Sequence, residues 1–116
     1  GLAVGADITL ADLKGTLAHF AREMFGSTAK VKFLPHYFPF TEPSAEMHVL
    51  YRGAWLEMLG CGMVHPAVFE HVGYDPGQVT GFAFGVGADR VAMVRHGVTD
   101  IRHLFDPDLR ILGQFR

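Results

Sequence analysis

Phe38-Pro39-Phe40, followed at once by Thr41-Glu42-Pro43-Ser44, is the part of the sequence richest in residues that can do chemistry. In an extended segment Phe38 and Phe40 project to one side, where two rings can clasp a third edge-to-face. A clasp of that kind selects an aromatic ligand, while the same spacing also suits two ordinary core rings. Glu42 sets a carboxylate beside this apolar ground, fit for a magnesium ion, an ammonium group or plain solvation.

A second constellation runs Gly81-Phe82-Ala83-Phe84-Gly85-Val86-Gly87-Ala88-Asp89-Arg90. The small residues Gly81, Ala83 and Gly85 let a flat ligand lie against the backbone, and the Arg90 fork is suited to gripping phosphate oxygens in pairs. It is neither a dinucleotide fingerprint nor a P-loop, since the third glycine of the one and the Gly-Lys-Ser/Thr of the other are missing. Glu57, in a Trp-Leu-Glu strand, is a charge at a half-buried position and asks for a cationic partner, either a structural ion pair or a metal or substrate contact. The seven histidines, His36 and His48 among them, show no zinc-ligand spacing and are assigned no function.

The elements that must position these residues are legible in outline. Leu10, Leu13, Leu17, Phe20 and Met24 recur at helical steps, with Thr9 and Asp12 as a capping pair and Gly26 placed for a left-handed C-terminal cap. Gly15 inside this helix suggests a close approach by another backbone. Strands are expected from Val31 to Leu34, ending at Pro35, from Glu46 to Arg52 after a loop at 41–44, and from Ala54 to Leu59 after a turn at Gly53. A short helix should begin at Pro66 and stop before Gly73; then come a strand at 79–86, a helix at 89–96 closed by Gly97, and a short helix capped at Asp100 and running through Phe105. Hairpin-linked strands with helices outside them argue for an α+β fold with an antiparallel sheet, not a doubly wound one.

Composition bounds the rest. The chain has 116 residues, 49% of them hydrophobic and 19% charged, with a formal charge of -2, which describes one soluble globular domain. The single cysteine, Cys61, cannot form an internal disulfide and points to a reducing, cytoplasmic setting. No stretch approaches the ~18 consecutive apolar residues of a membrane span. A basic surplus is lacking, so any contact with nucleic acid is expected from a larger assembly. The sequence opens at Gly1 as though a strand were already under way, so a fragment is expected.

Three strings, Tyr37-Phe38-Pro39-Phe40-Thr41-Glu42-Pro43-Ser44-Ala45-Glu46, Trp55-Leu56-Glu57-Met58-Leu59-Gly60-Cys61-Gly62-Met63-Val64-His65-Pro66, and Gly81 to Gly85 with its continuation, resemble the α subunits of bacterial phenylalanyl-tRNA synthetases, which are class II aminoacyl-tRNA synthetases. The resemblance covers residues 1–116 and implies the C-terminal half of a class II catalytic domain, truncated at its N-terminus. It implies a ligase that activates phenylalanine with ATP and passes it to tRNA(Phe), within an α2β2 heterotetramer completed by a β subunit. Phe38 and Phe40 match the family's clasp on the phenylalanine ring, with Ala83 at the pocket floor and Gly81 and Gly85 beside it. Arg90 matches the third-motif arginine on ATP phosphate, Glu57 the acid near ATP, and Glu42 a magnesium ligand at a site shared with the β subunit. The first motif and the second-motif arginine should precede Gly1, so the fragment alone is expected to be inactive. Asp89, Leu34, His36 and His48 depart from the family pattern. A non-catalytic phenylalanine-binding relative and the single-chain organellar enzyme are the alternatives.

Overall fold

The computed structural model describes residues 1–106 and 108–115. The chain divides into two compact units, Gly1–Gly85 and Val86–Arg116.

The first unit is built on strands β1 (Leu2–Gly5), β2 (Val31–Phe38), β3 (Thr41–Tyr51), β4 (Ala54–Val64) and β5 (Thr80–Val86), ordered β1-β5-β4-β3-β2 in one sheet. The registered pairs β1–β5, β2–β3 and β3–β4 are all antiparallel. Helices α1 (Leu10–Phe25) and α2 (Pro66–His71) complete an α+β architecture.

Helix α1 starts as its sequence dictates. The Thr9 hydroxyl accepts from the Asp12 amide, and the Asp12 carboxylate accepts from the Thr9 amide at 2.8 Å, so two orphan donors are satisfied reciprocally. Its buried stripe, Leu13, Leu17 and Ala21, faces Met47 and Val49 of β3 and Met58, Leu59 and Cys61 of β4. Full burial of a leucine stabilises by roughly 1.5–3 kcal/mol, so this stripe anchors the helix to one face of the sheet. Gly26 closes the helix at φ 96°, ψ 162°, a positive but extended geometry and not the left-handed one expected. Gly15 is exposed with nothing within 4 Å of where its Cβ would be, so no backbone approaches it closely.

Three strands outrun their expected limits. Strand β2 continues through Pro35 to Phe38, with Pro35 paired to Ala45; β2 is an edge strand, where a missing N–H leaves no ladder bond unmade. Residues 41–44, expected as a loop, begin β3, with a cis peptide between Glu42 and Pro43. The true turn is at Pro39-Phe40. Strand β4 runs on through Gly60-Cys61-Gly62, and the ladder slips by one residue between Met47 and His48, so that Met58 and Leu59 are buried in succession. Arg52 and Gly53 join β3 to β4 in a two-residue turn with φ of 50° and 82°, the signature of a type I′ hairpin.

The second unit holds α3 (Ala88–His96), capped by Gly97 in the left-handed region at φ 68°, a 3-10 turn at Ile101–Leu104, α4 (Leu109–Leu112) and a last 3-10 turn at Gly113–Phe115. Asp100 and Asp108 cap the first 3-10 turn and α4, each accepting from the amide and guanidinium of the arginine two residues on. Those hydrogen bonds hold both carboxyls below the usual aspartate range.

Candidate functional site

A cavity of about 390 Å³ opens in the first unit, lined by Phe38, Phe40, Thr41, Glu46, Glu57, Gly60, Cys61 and Gly85. That volume falls in the range of small-molecule sites. Because residues alternate across a sheet, the buried Met47 and Val49 face α1 while Glu46 and His48 face the other way, toward the cavity side.

The two rings are positioned by a short hydroxyl network. Ser44 Oγ accepts from the Phe38 amide at 3.2 Å and donates to the Thr41 carbonyl at 2.8 Å. With its single proton thus used, Ser44 must accept from the Thr41 hydroxyl 2.6 Å away. Thr41 and Ser44 are both buried. The Phe40 carbonyl accepts from the His65 amide at 3.0 Å, which ties the turn to the start of α2.

Phe38 and Phe40 stack with centroids 5.7 Å apart and planes 14° from parallel. A ring inserted between them would need roughly 7 Å, twice the usual carbon contact distance. The pair therefore leaves no room for a third ring between its members, and both rings border the cavity.

Glycine supplies the space. A Cβ on Gly60 would stand 2.8 Å from Phe38 Cζ, and one on Gly62 would lie 2.6 Å from Thr41 Cβ and 2.7 Å from the Pro43 carbonyl. The alternation Gly60-Cys61-Gly62 is thus a clearance slot within a strand, the signal being two glycines at period two in an otherwise apolar run. Sequence reading gave Ser44, Glu46 and Gly60 no place in the site.

The remaining expected residues fall as follows. Gly85 lines the cavity, with open space where its Cβ would be. Ala83 precedes it by two on β5 and so shares its face, but does not line the cavity. Gly81 is buried against β1 and α2, where a Cβ would lie 2.5 Å from the Ala3 carbonyl and 3.2 Å from the Phe69 ring. Glu57 lines the cavity, is exposed, and makes no ion pair among the described residues, so the structural salt bridge weighed for it is not formed.

Glu42 is exposed at the start of β3 and borders, with Gly81, a separate cavity of about 190 Å³. Among the described residues no three His, Cys, Asp or Glu side chains gather as a metal-holding group. Magnesium takes an octahedron of oxygen ligands, several of them commonly waters, so Glu42 would be one ligand among several at such a site. Arg90 lies in the second unit, on the first turn of α3, and makes no ion pair among the described residues. Cys61, 3% exposed, has its thiol pushed up to about 11 by burial, with Lys14 acting weakly the other way.

Residues 1–115 match the model of the tRNA synthetases class II core domain (F). The chain belongs to this class II synthetase family. Its antiparallel five-stranded sheet with flanking helices is the class II core in α+β form. It is 52% identical to a phenylalanine-tRNA ligase alpha subunit of Fusobacterium nucleatum over 100% of this chain and 38% of that relative. It is 56% identical to the subunit of the same name from Pectobacterium carotovorum, across 100% of the chain and 36% of the relative. For that of Pelotomaculum thermopropionicum the figures are 54%, 100% and 37%. The chain thus spans little more than a third of the length of these synthetase relatives. No described helix is long and apolar enough to cross a membrane.

Proposed function

We infer that the chain is the amino-acid-binding part of a phenylalanine-tRNA ligase α subunit, acting in the cytoplasm as part of an α2β2 assembly with a β subunit. The observation that carries this reading is the stacked Phe38–Phe40 pair over an apolar cavity cleared by Gly60 and Gly85, in a chain 52–56% identical to subunits of that name. In the first step the phenylalanine carboxylate attacks the α-phosphorus of ATP, forming phenylalanyl adenylate and releasing pyrophosphate. In the second, a terminal ribose hydroxyl of tRNA(Phe) attacks the acyl carbon and AMP leaves.

Neither step needs a side-chain nucleophile, so the work of the chain is positioning and charge stabilisation. Phe38 and Phe40 hold the substrate ring, Gly85 bounds it on the β5 side with Ala83 next along the same face, and an apolar end leaves a tyrosine hydroxyl unpaired. Arg90 neutralises ATP phosphate charge and Glu57 lies near the nucleotide. Glu42 is this chain's share of a magnesium site completed by the β subunit.

The test is phenylalanine-dependent ATP–pyrophosphate exchange by the α2β2 assembly carrying these residues. Exchange that saturates with phenylalanine and not with tyrosine is expected. Exchange indifferent to phenylalanine, or driven equally by another amino acid, overturns the reading.

A further inference from the structure

Phe38 has a problem of aim. It is the last residue of an edge strand, and the β2–β3 register shifts between His36 and Phe38, so the ladder that orients regular strand residues does not by itself fix this ring. Gly60 removes a steric obstacle but supplies no restraint on the other sides.

His36 is the last residue before the shift, paired with Ser44. Its ring lies 4.6 Å from that of Phe38, tilted by 31°. Each of its nitrogens has an oxygen close by: Nδ1 is 3.0 Å from the Tyr37 carbonyl oxygen, and Nε2 is 3.1 Å from Glu46 Oε1. Both partners are acceptors, so whichever ring nitrogen carries the proton has one within reach, and either way the ring is drawn to the same orientation. The second oxygen of Glu46, Oε2, stands 3.5 Å from His48 Nε2, which leaves the carboxylate between two imidazoles. Glu46 itself lines the cavity.

We propose that His36 is a positioning residue for the aromatic clamp, backing the Phe38 ring and tethered by Glu46. The inference rests on the phenylalanine-binding reading and adds to it how the ring is aimed. A flat ring pair contributes about 0.5–1.5 kcal/mol beyond its buried area, so losing the backing should weaken retention of the ligand ring about three- to ten-fold. Phosphate handling should be unaffected, since the His36–Glu46 pair touches the ring that meets the amino acid.

The experiment is steady-state pyrophosphate exchange by the α2β2 assembly with His36→Ala, His36→Phe and Glu46→Gln variants. His36→Ala should raise KM for phenylalanine about three- to ten-fold, with kcat within about two-fold of the parent and KM for ATP unchanged. His36→Phe, which restores a flat ring without the tether, should recover part of that loss, and Glu46→Gln should show a smaller rise than His36→Ala. An unchanged phenylalanine KM in His36→Ala overturns the proposal, as does a joint fall in kcat and in affinity for both substrates. Should His36→Ala fail to fold, His36→Phe and Glu46→Gln decide it alone: an unaltered phenylalanine KM in both refutes it. Parent enzyme that shows no phenylalanine dependence overturns the functional reading, an outcome distinct from a functioning parent with indifferent variants.

Discussion

Phe38 Cζ occupies the space that a side chain at residue 60 would need, 2.8 Å from where a Cβ would stand. Gly60→Ala must therefore push the Phe38 ring out of its slot. Forcing a methyl group into packed ground costs about 1–3 kcal/mol, and if the ring yields instead, the clamp is lost. Phenylalanine KM in pyrophosphate exchange should rise about ten-fold or more, while KM for ATP stays near the parent value.

Ala83 and Gly85 offer a contrast on one strand. Gly85 has open space beside it and lines the cavity, so Gly85→Ala should narrow the cavity and raise phenylalanine KM. Ala83→Gly should admit para-substituted phenylalanines, as competition in the exchange assay would show. Unchanged selectivity in that variant would place the end of the pocket elsewhere.

Arg90→Ala should weaken ATP and adenylate-analogue binding and leave phenylalanine binding intact, because no ring contact depends on it. Isothermal titration of the assembly with each ligand separates the two. Equal loss of both affinities would refute the phosphate role.

The Cys61 thiol, 3% exposed, keeps its proton to about 11 against an ordinary value of 9.0. Two outcomes are expected. Thiol reagents at neutral pH should label it only after unfolding, since the thiolate is the reactive form. Between pH 9.0 and about 11 the unfolded chain sheds the proton that the folded chain retains, so stability falls as pH rises through that window. The melting temperature of Cys61→Ala should fall less steeply across the same range.

Two surface changes should stabilise. Gly15 is exposed in mid-helix with nothing near its missing Cβ, so Gly15→Ala should gain about 0.5–1 kcal/mol in denaturant unfolding. Arg52 sits at φ 50° in the hairpin turn, where asparagine is better tolerated, and Arg52→Asn should also raise the midpoint.

What the sequence disclosed depended on whether its signals were local. The capping pair Thr9–Asp12 and the Gly53 turn involve residues a few positions apart, and both formed as read. Pro35, Pro43 and the Gly60–Gly62 pair were read as stops, yet all lie within strands. Proline is a breaker only where its N–H would have been used: the edge strand β2 waives that need for Pro35, and Pro43 falls in the register shift between Thr41 and Ser44. Glycine likewise marked clearance for Phe38 and Thr41, a requirement set by partners some twenty positions away in sequence. Phe38, Phe40 and Gly85, singled out from the sequence, line one cavity, whereas His36 and Glu46 carried no spacing that could mark them, their meeting being a product of register alone.

Apart from Gly85, every residue lining the aromatic cavity belongs to the three-strand meander formed by β2, β3 and β4. All but one edge of the cavity wall is therefore a single run of chain, while Arg90 lies beyond it. Exchanging residues 31–64 between relatives would carry over most of the cavity wall as one segment, Glu57 included, and leave the β5 side as it was.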